Sequence, residues 1–332
     1  MRTRFILCLA LIAAAPLAVR DVQPLPLTSI AVPLNPDDLA QSTVGDLRYL
    51  GGLVLRSTTR SFGGLSGLRA GPGGRLLAIS DNGNWVSFVT VERDGRLVAV
   101  RDGIIAPLLD ASDRKAKSKS AGDAESLDWN PQTGEALVSF EQDHRIQRYL
   151  GIDPARPGTL RAMPAEVIRN PATAGWPANG GGEALAVLGD GSRVLFEEEG
   201  EAANGLSPVL LVKDGVTRQL LYRRPPGYKP TDAIEIAPGE LLVLNRHYTV
   251  FDGVSAILAR VKVADIMEPR EVARLASPLT VDNMEGLAVR KEGGRTFVYM
   301  VSDDNFNAVQ QTLLLKFELV ATSRGTTGRP RP

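Results

Sequence analysis

Residues 65–81 read LSGLRAGPGGRLLAISD, which is two short apolar runs on either side of the turn Gly71-Pro72-Gly73-Gly74. Runs of this length, rich in Leu and Ile and bounded by Gly and Pro, predict two β-strands joined by a tight turn. Ser66 stands near the start of the first run, and Asp81 follows the second. In a hairpin these two positions meet at the same end.

The same pattern occurs five times along the chain. Its anchor positions are Ser66, Glu125, Glu183, Asp232 and Glu285, which are 59, 58, 49 and 53 residues apart. The second runs end on Asp81, on Glu141, on Glu197-Glu198, on Asn245-Arg246 and on Asp303-Asp304. A strand-rich repeat of this length is typical of a β-propeller or a solenoid. Acidic side chains therefore recur at equivalent places in the fold.

Each repeat divides into four predicted strands, which in the first repeat are 64–70, 75–81, 85–92 and 96–101. The last repeat lacks a fourth strand, and 48–56, just before the first repeat, can supply it. Such a closure removes the exposed sheet edges that an open array would leave. We therefore predict an all-β fold, a β-propeller of five four-stranded blades whose ring is closed by an N-terminal strand. A sixth blade stays open as an alternative, because 153–180 could contain further strands.

The first residues have the pattern of a secretory signal. Arg2 and Arg4 precede an apolar run over 5–15, and Pro16-Leu17-Ala18 could precede a cleavage site. The alternative is a membrane anchor, but the run is shorter than the roughly 20 apolar residues that span a bilayer. We expect a periplasmic or secreted protein with no stable membrane anchor after signal cleavage. The predicted organisation is a signal peptide (1–18), a Pro-rich N-terminal segment (19–45), the propeller (46–321) and a disordered tail (322–332).

Composition narrows the chemistry. The chain has 332 residues, 43% of them hydrophobic and 23% charged, and its formal net charge is zero. Nothing in this balance favours a nucleic-acid partner. The single cysteine, Cys8, lies in the predicted signal, and the only histidines are His144 and His247. A zinc site built from cysteines or from three histidines is therefore excluded in the mature chain.

The recurring acids predict a metal site at one end of the propeller channel. Carboxylates crowded together raise one another's pKa unless cations neutralise them. Calcium takes six to eight oxygen ligands in flexible geometry, so calcium is the expected cofactor, with magnesium as the alternative. The alternative is that these acids have only a structural role, in which they cap turns or form ion pairs with arginines. The predicted metal ligands are Asp81, Glu125, Glu141, Glu183, Glu198, Asp232, Glu285 and Asp303.

Cationic residues lie among these acids. Arg145, Lys229 and Arg246 are predicted to bind an anionic substrate, because guanidinium and ammonium groups pair with phosphate or carboxylate. His247 is predicted to transfer a proton. Together with Glu183 and Arg246 it forms the predicted catalytic set. For each cation, a salt bridge to a neighbouring acid is the alternative.

Several of these motifs resemble one known family. They are GGLSGL (63–68), SDNG (80–83), DAESL (123–127), GEAL (182–185), NRHY (245–248), DNMEGL (282–287) and SDDN (302–305). From about Gly51 to Leu319, the chain resembles the phytase-like esterase domain of exported bacterial proteins. The resemblance implies a β-propeller whose repeated Glu and Asp residues serve phosphoester hydrolysis. It also implies a distant likeness to β-propeller phytases, which hold calcium in an acidic channel mouth.

The leading hypothesis from sequence is an exported, metal-dependent hydrolase of phosphate esters, acting on a small-molecule phosphate ester or another anionic substrate. A first alternative is a non-catalytic propeller that binds a ligand or a partner protein. A second is a lactonase-type hydrolase whose calcium ligands would be Glu183, Asn245 and Asp303. The substrate, the number of metal ions and the oligomeric state are left open.

Overall fold

Five antiparallel sheets make up the fold of the computed structural model. It describes residues 21–112, 114, 122–199, 205–249 and 251–320. The predicted signal peptide and the predicted tail from 322 onwards lie outside the described residues. Four strands precede the first repeat: β1 (Gln23–Pro24), β2 (Leu27–Val32), β3 (Thr43–Val44) and β4 (Leu47–Ser57).

Each repeat forms one sheet, which we call a blade. Blade 1 contains β5 (Leu65–Ala70), β6 (Arg75–Ser80), β7 (Asn84–Arg93) and β8 (Arg96–Pro107), and blade 2 contains β9 (Ala124–Asn130), β10 (Glu135–Phe140), β11 (Arg145–Tyr149) and β12 (Glu166–Arg169). Blade 3 contains β13 (Gly182–Val187), β14 (Arg193–Glu197), β15 (Leu206–Lys213) and β16 (Val216–Arg223). Blade 4 contains β17 (Lys229–Ala237), β18 (Glu240–Thr249), β19 (Gly253–Lys262) and β20 (Asp265–Ala276). Blade 5 contains β21 (Met284–Glu292), β22 (Arg295–Ser302) and β23 (Thr312–Leu319).

Three short 3-10 segments complete the secondary structure: Pro72–Gly74, Pro157–Arg161 and Pro171–Thr173. The last two flank β12 within 153–180, the stretch that could have held a sixth blade. Because β12 is the outer strand of blade 2, this stretch adds no further sheet. The prediction of five four-stranded blades is confirmed.

The blades form a closed ring. The first strand of each blade, β5, β9, β13, β17 or β21, packs against the first strand of the next, and β21 packs against β5. The predicted N-terminal closing strand is β4, which pairs antiparallel with β23 and so completes blade 5. β2 extends this sheet beyond β4, and β1 pairs with β8 at the edge of blade 1. The Pro-rich segment 19–45 thus covers two outer edges with short strands, which protects them from further pairing.

A buried ion cluster joins blade 1 to blade 5. The carboxylate of Glu92 on β7 accepts hydrogen bonds from Lys316 Nζ at 2.6 Å, Tyr299 Oη at 2.8 Å and Arg290 Nη2 at 3.0 Å. Lys316 is fully buried, and its Nζ also donates to the carbonyl of Gly95 at 2.8 Å. Burial lowers the pKa of Lys316. The interface between blades 1 and 5, where the ring closes, is therefore held by ion pairs and hydrogen bonds in addition to hydrophobic packing.

Replacing Lys316 with methionine is expected to lower the free energy of unfolding by about 1–3 kcal/mol, because Glu92 and the carbonyl of Gly95 each lose a donor that is itself fully buried. Denaturant unfolding of the two proteins measures the difference. Lys262→Met removes an exposed lysine of β19 and should change stability by less than about 0.5 kcal/mol. Equal stability of the two variants would show that the buried ammonium contributes nothing to closure.

Hydrophobic clusters fill the spaces between neighbouring blades, as the apolar faces of the sheets require. The cluster between blades 1 and 5 includes Leu53, Leu65 and Phe88. The cluster between blades 2 and 3 is much smaller: its buried members are Leu137, Leu185, Leu195 and Leu210. Since β11 and β12 have only five and four residues, blade 2 offers little surface to cover blade 3 here.

Candidate functional site

A β-bulge near the start of each innermost strand places one residue per blade at the same level of the channel. The strand pairing skips Ser66, Glu125, Glu183, Thr231 and Glu285 in blades 1 to 5. A bulged residue has no partner in the ladder. Its side chain therefore does not follow the alternation between the two faces of the sheet that the rest of the strand obeys. In three blades this residue is a glutamate. In the other two a hydroxyl donates to the next innermost strand: Ser66 Oγ to Ala124 O at 2.5 Å and Thr231 Oγ1 to Met284 O at 3.1 Å.

The position of the bulge shows that the fourth repeat must be aligned one residue earlier than the sequence suggested. Taking Asp232 as the anchor of that repeat was off by one residue, because the bulged residue is Thr231 and Asp232 lies opposite Leu244. A shift of one residue in a strand moves the side chain to the other face. Asp232 is accordingly fully buried and bonded to Arg69, with Oδ2 at 2.9 Å from Nη1. It does not line the cavity that the other predicted ligands share.

A second set of residues comes from the ends of the second strands. Asp81, Glu141, Glu198 and Asp303 each follow a second strand and donate their backbone N–H to the segment before the innermost strand. The acceptors are carbonyls of Gly64 at 2.8 Å, Asp123 at 3.0 Å, Gly180 at 3.2 Å and Asn283 at 2.9 Å. In blade 4 the ladder itself continues, pairing Arg246 with Lys229. The repeated backbone geometry thus places these side chains at equivalent positions, with an arginine where the other blades have an acid.

These two sets meet in a cavity of about 200 Å³, which we call the acidic cavity. Three asparagines, Asn179, Asn283 and Asn305, also line it, and among the described residues Arg246 is its only cationic lining residue. Seven of the eight predicted metal ligands are therefore brought together, and Asp232 is not. The carboxylates that line the cavity are those of Asp81, Glu125, Glu141, Glu183, Glu198, Glu199, Glu285 and Asp303.

Burial and mutual repulsion make four of these carboxylates hard to ionise. Burial, with the charges of Glu198 and Asp303, raises the pKa of Glu285 to about 8, although Arg246 opposes the shift. Burial and the charge of Asp81 raise the pKa of Asp303 to about 7. The pKa values of Glu125 and Glu183 are raised well above the usual range, first by burial and then by neighbouring carboxylates. Near neutral pH the acidic cavity must therefore hold protons or bind cations.

Three carboxylates converge in blade 2. Asp123, Glu125 and Glu141 each offer an oxygen atom, and these atoms lie within 4.8 Å of one another. Glu141 is held in place because its Oε1 accepts N–H groups from both Gly180 and Gly181, the second at 3.2 Å. Oxygen donors without nitrogen or sulfur suit calcium or magnesium. The residues present therefore fit a hard divalent cation. Asp123 was not among the predicted ligands, although its place beside Glu125 in the motif could have indicated it.

Arg246 pairs with two glutamates that line the same cavity. Its Nη2 donates to Glu198 Oε1 at 2.7 Å, its Nη1 donates to Asn283 Oδ1 at 2.8 Å, and its Nε lies 3.1 Å from Glu285 Oε1. The charges of Glu285 and Glu198 raise its pKa further, against the effect of burial. Lys229, at the rim, contacts Glu199 and lies 3.8 Å from Glu198. Two of the three predicted substrate-binding cations, Lys229 and Arg246, are thus ion-paired with blade 3 acids.

Other residues predicted for the site lie elsewhere. His247 is next to Arg246 on β18, so its side chain has the opposite direction. Its Nδ1 is 2.7 Å from the carbonyl of Gly227, and it is not among the residues lining the acidic cavity. Arg145 is nearly buried and stacks over Phe140, with the guanidinium carbon 4.1 Å from the ring centroid. It lines a different cavity, between blades 2 and 3.

The ligand set of the lactonase alternative is not assembled. Glu183 and Asp303 line the acidic cavity, but Asn245 does not. The side chain of Asn245 is fully buried, accepts from Tyr222 Oη at 3.1 Å and donates to the carbonyl of Val243 at 3.0 Å. Its amide therefore joins blade 4 to blade 3 by hydrogen bonding.

A buried arginine that the sequence analysis missed occupies the centre of the ring. Arg69 Nη1 donates to the carbonyls of Leu68 at 2.7 Å and Leu287 at 2.9 Å, and Nη2 donates to those of Leu185 at 2.9 Å and Ala233 at 2.8 Å. Its Nε lies 3.8 Å from Asp128 of blade 2. One side chain thus contacts the innermost strands of all five blades, three residues along β5 from the bulge. A lone arginine within the apolar run of residues 65–70 was the available signal.

Comparison with known proteins identifies one family. The family model described as "Phytase-like: Esterase-like activity of phytase" matches residues 60–306, which is most of the chain. No curated protein sequence matches the chain. In the part of the chain that the structure describes, no helix is long and apolar enough to cross a membrane.

Solved structures resemble the chain only at the level of the fold. The PQQ-bound aldose sugar dehydrogenase of Streptomyces coelicolor is 12% identical, with 88% of this chain and 98% of that chain covered and a TM-score of 0.42. The major Malassezia sympodialis allergen Mala s 1 is 14% identical over 88% and 95% of the two chains, with a TM-score of 0.40. An exo-1,5-alpha-L-arabinanase from a bovine ruminal metagenomic library is 10% identical over 77% and 94%, with a TM-score of 0.42. Similarity at this level carries no information about activity.

Proposed function

Because the chain belongs to the phytase-like family, we propose that it is an exported, metal-dependent hydrolase of phosphate esters that works in the acidic cavity. The observation that carries this proposal is the set of eight carboxylates around one cavity of about 200 Å³. Such crowding is costly in a purely structural role, since each buried charge raises the free energy of the next. It is favourable where a cation is bound.

Asp123, Glu125 and Glu141 are the residues that would hold the cation, with calcium as the first candidate and magnesium as the second. A divalent cation in this place supplies positive charge that stabilises the charge developing on phosphoryl oxygens. It also reverses the local potential, which otherwise repels a phosphate ester. Binding of the anionic substrate is therefore expected only when the metal is present.

The chain's own residues would orient the substrate and move the proton. Glu183 lies in the same cavity and is buried, and burial and neighbouring carboxylates raise its pKa, which favours a role in taking and returning a proton. Lys229 at the rim would contact the phosphate as it enters. Arg246 would hold Glu198 and Glu285 in place, because its three side-chain nitrogens lie within 3.1 Å of oxygens of Glu198, Asn283 and Glu285.

One observation favours a second candidate, a non-catalytic propeller that binds a cation and a partner or ligand. Of the predicted catalytic set, His247 lies outside the acidic cavity and Arg246 is occupied by acids of blades 3 and 5. A binding protein needs neither a free guanidinium nor a histidine. Turnover separates the two candidates.

The test is a calcium titration of the chelator-stripped mature protein by calorimetry, in two buffers that differ in ionisation enthalpy. Saturable binding with proton release is expected, because Glu125, whose pKa is raised, must lose its proton to act as a ligand. Glu125→Gln should weaken calcium binding by roughly 100-fold or more. Glu268→Gln, which changes an exposed acid of blade 4, should leave it unchanged.

Calcium-dependent hydrolysis of 4-nitrophenyl phosphate is then measured on the same proteins. Activity in the parent protein and its loss in Glu125→Gln support the hydrolase. Calcium binding without hydrolysis of this or other phosphate esters would favour the binding propeller. A protein that binds no divalent cation would contradict both candidates. Export to the periplasm or the medium is part of the proposal and depends on residues 1–18.

A further inference from the structure

A second cavity lies between blades 2 and 3, and we call it the interblade cavity. Its volume is about 210 Å³, and its apolar walls include Ile146, Ile168, Trp176, Leu195, Leu210 and Val212. It exists because the short strands β11 and β12 do not cover the face of blade 3, and the segment around Trp176 closes it only in part. Mostly apolar cavities with a few polar groups are typical of small-molecule sites.

The charged residues around the interblade cavity are all of one sign. Arg145, Arg169 and Arg193 line it, and no Asp or Glu is among its lining residues in the described chain. Arg145 and Arg169 share one carboxylate, that of Asp143, at 3.5 Å and 2.7 Å. Arg193, on β14 of blade 3, forms no ion pair with any residue that the structure describes. An apolar cavity with an unpaired guanidinium is complementary to an apolar molecule that carries a negative charge.

We propose that the interblade cavity binds a ring-containing carboxylate, with the ring against Trp176 and the carboxylate on Arg193. The cavity has room for a body of one or two rings, and burying it removes apolar surface from water. The planar indole of Trp176 offers a face for stacking. Arg193 can donate two parallel N–H groups to a carboxylate, which gives the strongest form of such a contact.

This site is distinct from the acidic cavity, although the two are close. His144 and Gly182 line the interblade cavity, whereas Glu183 lines the acidic cavity. The segment Gly180–Gly182 separates them, and a Cβ on Gly181 would lie 2.5 Å from His144 Nδ1. A thin wall of glycines thus lies between them. The inference goes beyond the proposed function and does not depend on it.

The experiment is a calorimetric titration with 2-naphthoate and with 2-naphthamide, which has the same rings and no charge. Saturable binding of one naphthoate per chain is expected, with the amide at least about tenfold weaker. Arg193→Met should weaken naphthoate binding by about tenfold and leave amide binding unchanged. Arg218→Met is the matched control: it removes an exposed arginine of the same blade that does not line the interblade cavity.

Each other result would overturn the proposal. Absence of saturable naphthoate binding would show that the interblade cavity takes no such ligand. Equal affinities for naphthoate and its amide would show that no cation holds the carboxylate. An equal loss of naphthoate affinity in Arg193→Met and Arg218→Met would show that naphthoate does not bind through Arg193 in the interblade cavity. The comparison of the two ligands on the unaltered protein remains decisive even where a variant fails to fold.

Discussion

Replacing Arg69 with methionine is expected to lower the free energy of unfolding by about 3–5 kcal/mol, the largest change for any single residue that we predict. The substitution keeps the apolar stem and removes the guanidinium. It leaves the fully buried Asp232 without its ion-pair partner and takes the donor from four backbone carbonyls. Buried polar groups without partners keep the full cost of their desolvation.

The position of Arg69 explains why the effect should be global. Its guanidinium joins the innermost strands of all five blades, so its loss weakens the ring at its centre. Burial raises the pKa of Asp232 to about 6 even with Arg69 beside it. In the Arg69→Met variant we expect Asp232 to become protonated. The double variant Arg69→Met, Asp232→Asn should therefore be more stable than Arg69→Met alone.

Denaturant unfolding of these proteins provides the measurement. Arg56→Met, which changes an exposed arginine of β4, should alter stability by less than about 0.5 kcal/mol and serves as the control. A loss for Arg69→Met no larger than that of the control would mean that the central guanidinium is dispensable. The packed clusters between blades would then account for closure by themselves.

The metal-free protein is expected to lose about 3 kcal/mol or more of stability as the pH rises from 5 to 9. The pKa of Asp303 is raised from 3.8 to about 7, and that of Glu285 from 4.5 to about 8, chiefly by burial. Between about pH 4 and pH 8 the folded chain therefore binds more protons than the unfolded chain. Stability falls over that window, because ionisation is harder in the folded state.

Carboxylates whose pKa is lowered in the folded protein do not mask this loss of stability. The pKa of Glu318 is lowered to about 2 by hydrogen bonds from Arg295 and Arg48. The stability it contributes is complete above about pH 4.5 and is lost only as the pH falls further. Asp232 and Glu197, whose pKa values are raised to about 6 and about 7, lie outside the acidic cavity and contribute to the same window. A variant of Glu285 is therefore needed to identify the contribution of the acidic cavity.

Thermal or urea unfolding across this range, in the presence of a chelator, checks the prediction. Glu285→Gln should flatten the pH dependence, because the amide cannot ionise, whereas Glu268→Gln should follow the parent protein. Added calcium should restore stability most strongly at high pH. If the stability of the metal-free protein is constant or rises from pH 5 to 9, the carboxylates of the acidic cavity ionise as readily in the folded chain as in the unfolded chain, and the prediction is wrong.

Much of this architecture could be predicted from local patterns. The five repeats, the turns between their strands and the closing strand are visible in the spacing of apolar residues, because a half-buried strand needs apolar side chains along its length. The predicted strand 48–56 corresponds to β4 (Leu47–Ser57). Acids at the ends of the strands indicated an acidic cavity for the same reason, since equivalent positions in each blade lie at one face of the ring.

Side-chain direction could not be predicted in the same way. Thr231 and Asp232 are adjacent, yet only the pairing with β18 decides which of them is bulged. Arg246 and His247 are also adjacent, and the strand places them on opposite sides. A shift of one residue in the pairing moves every following side chain to the other face of the sheet. The bulges that cause such shifts depend on the partner strand, which comes from another part of the chain.

By itself, the sequence determined the repeat, the strand that closes the ring and the acidic character of one channel end, and it left the number of blades at five or six. These properties follow from which residues recur, and at what spacing. Only the tertiary structure decided that Arg69 bonds to the innermost strands at the centre, that Asp232 serves Arg69, and that an interblade cavity opens beside Arg193. Each of these depends on distances between residues far apart in the chain, which are set by the packing of whole blades.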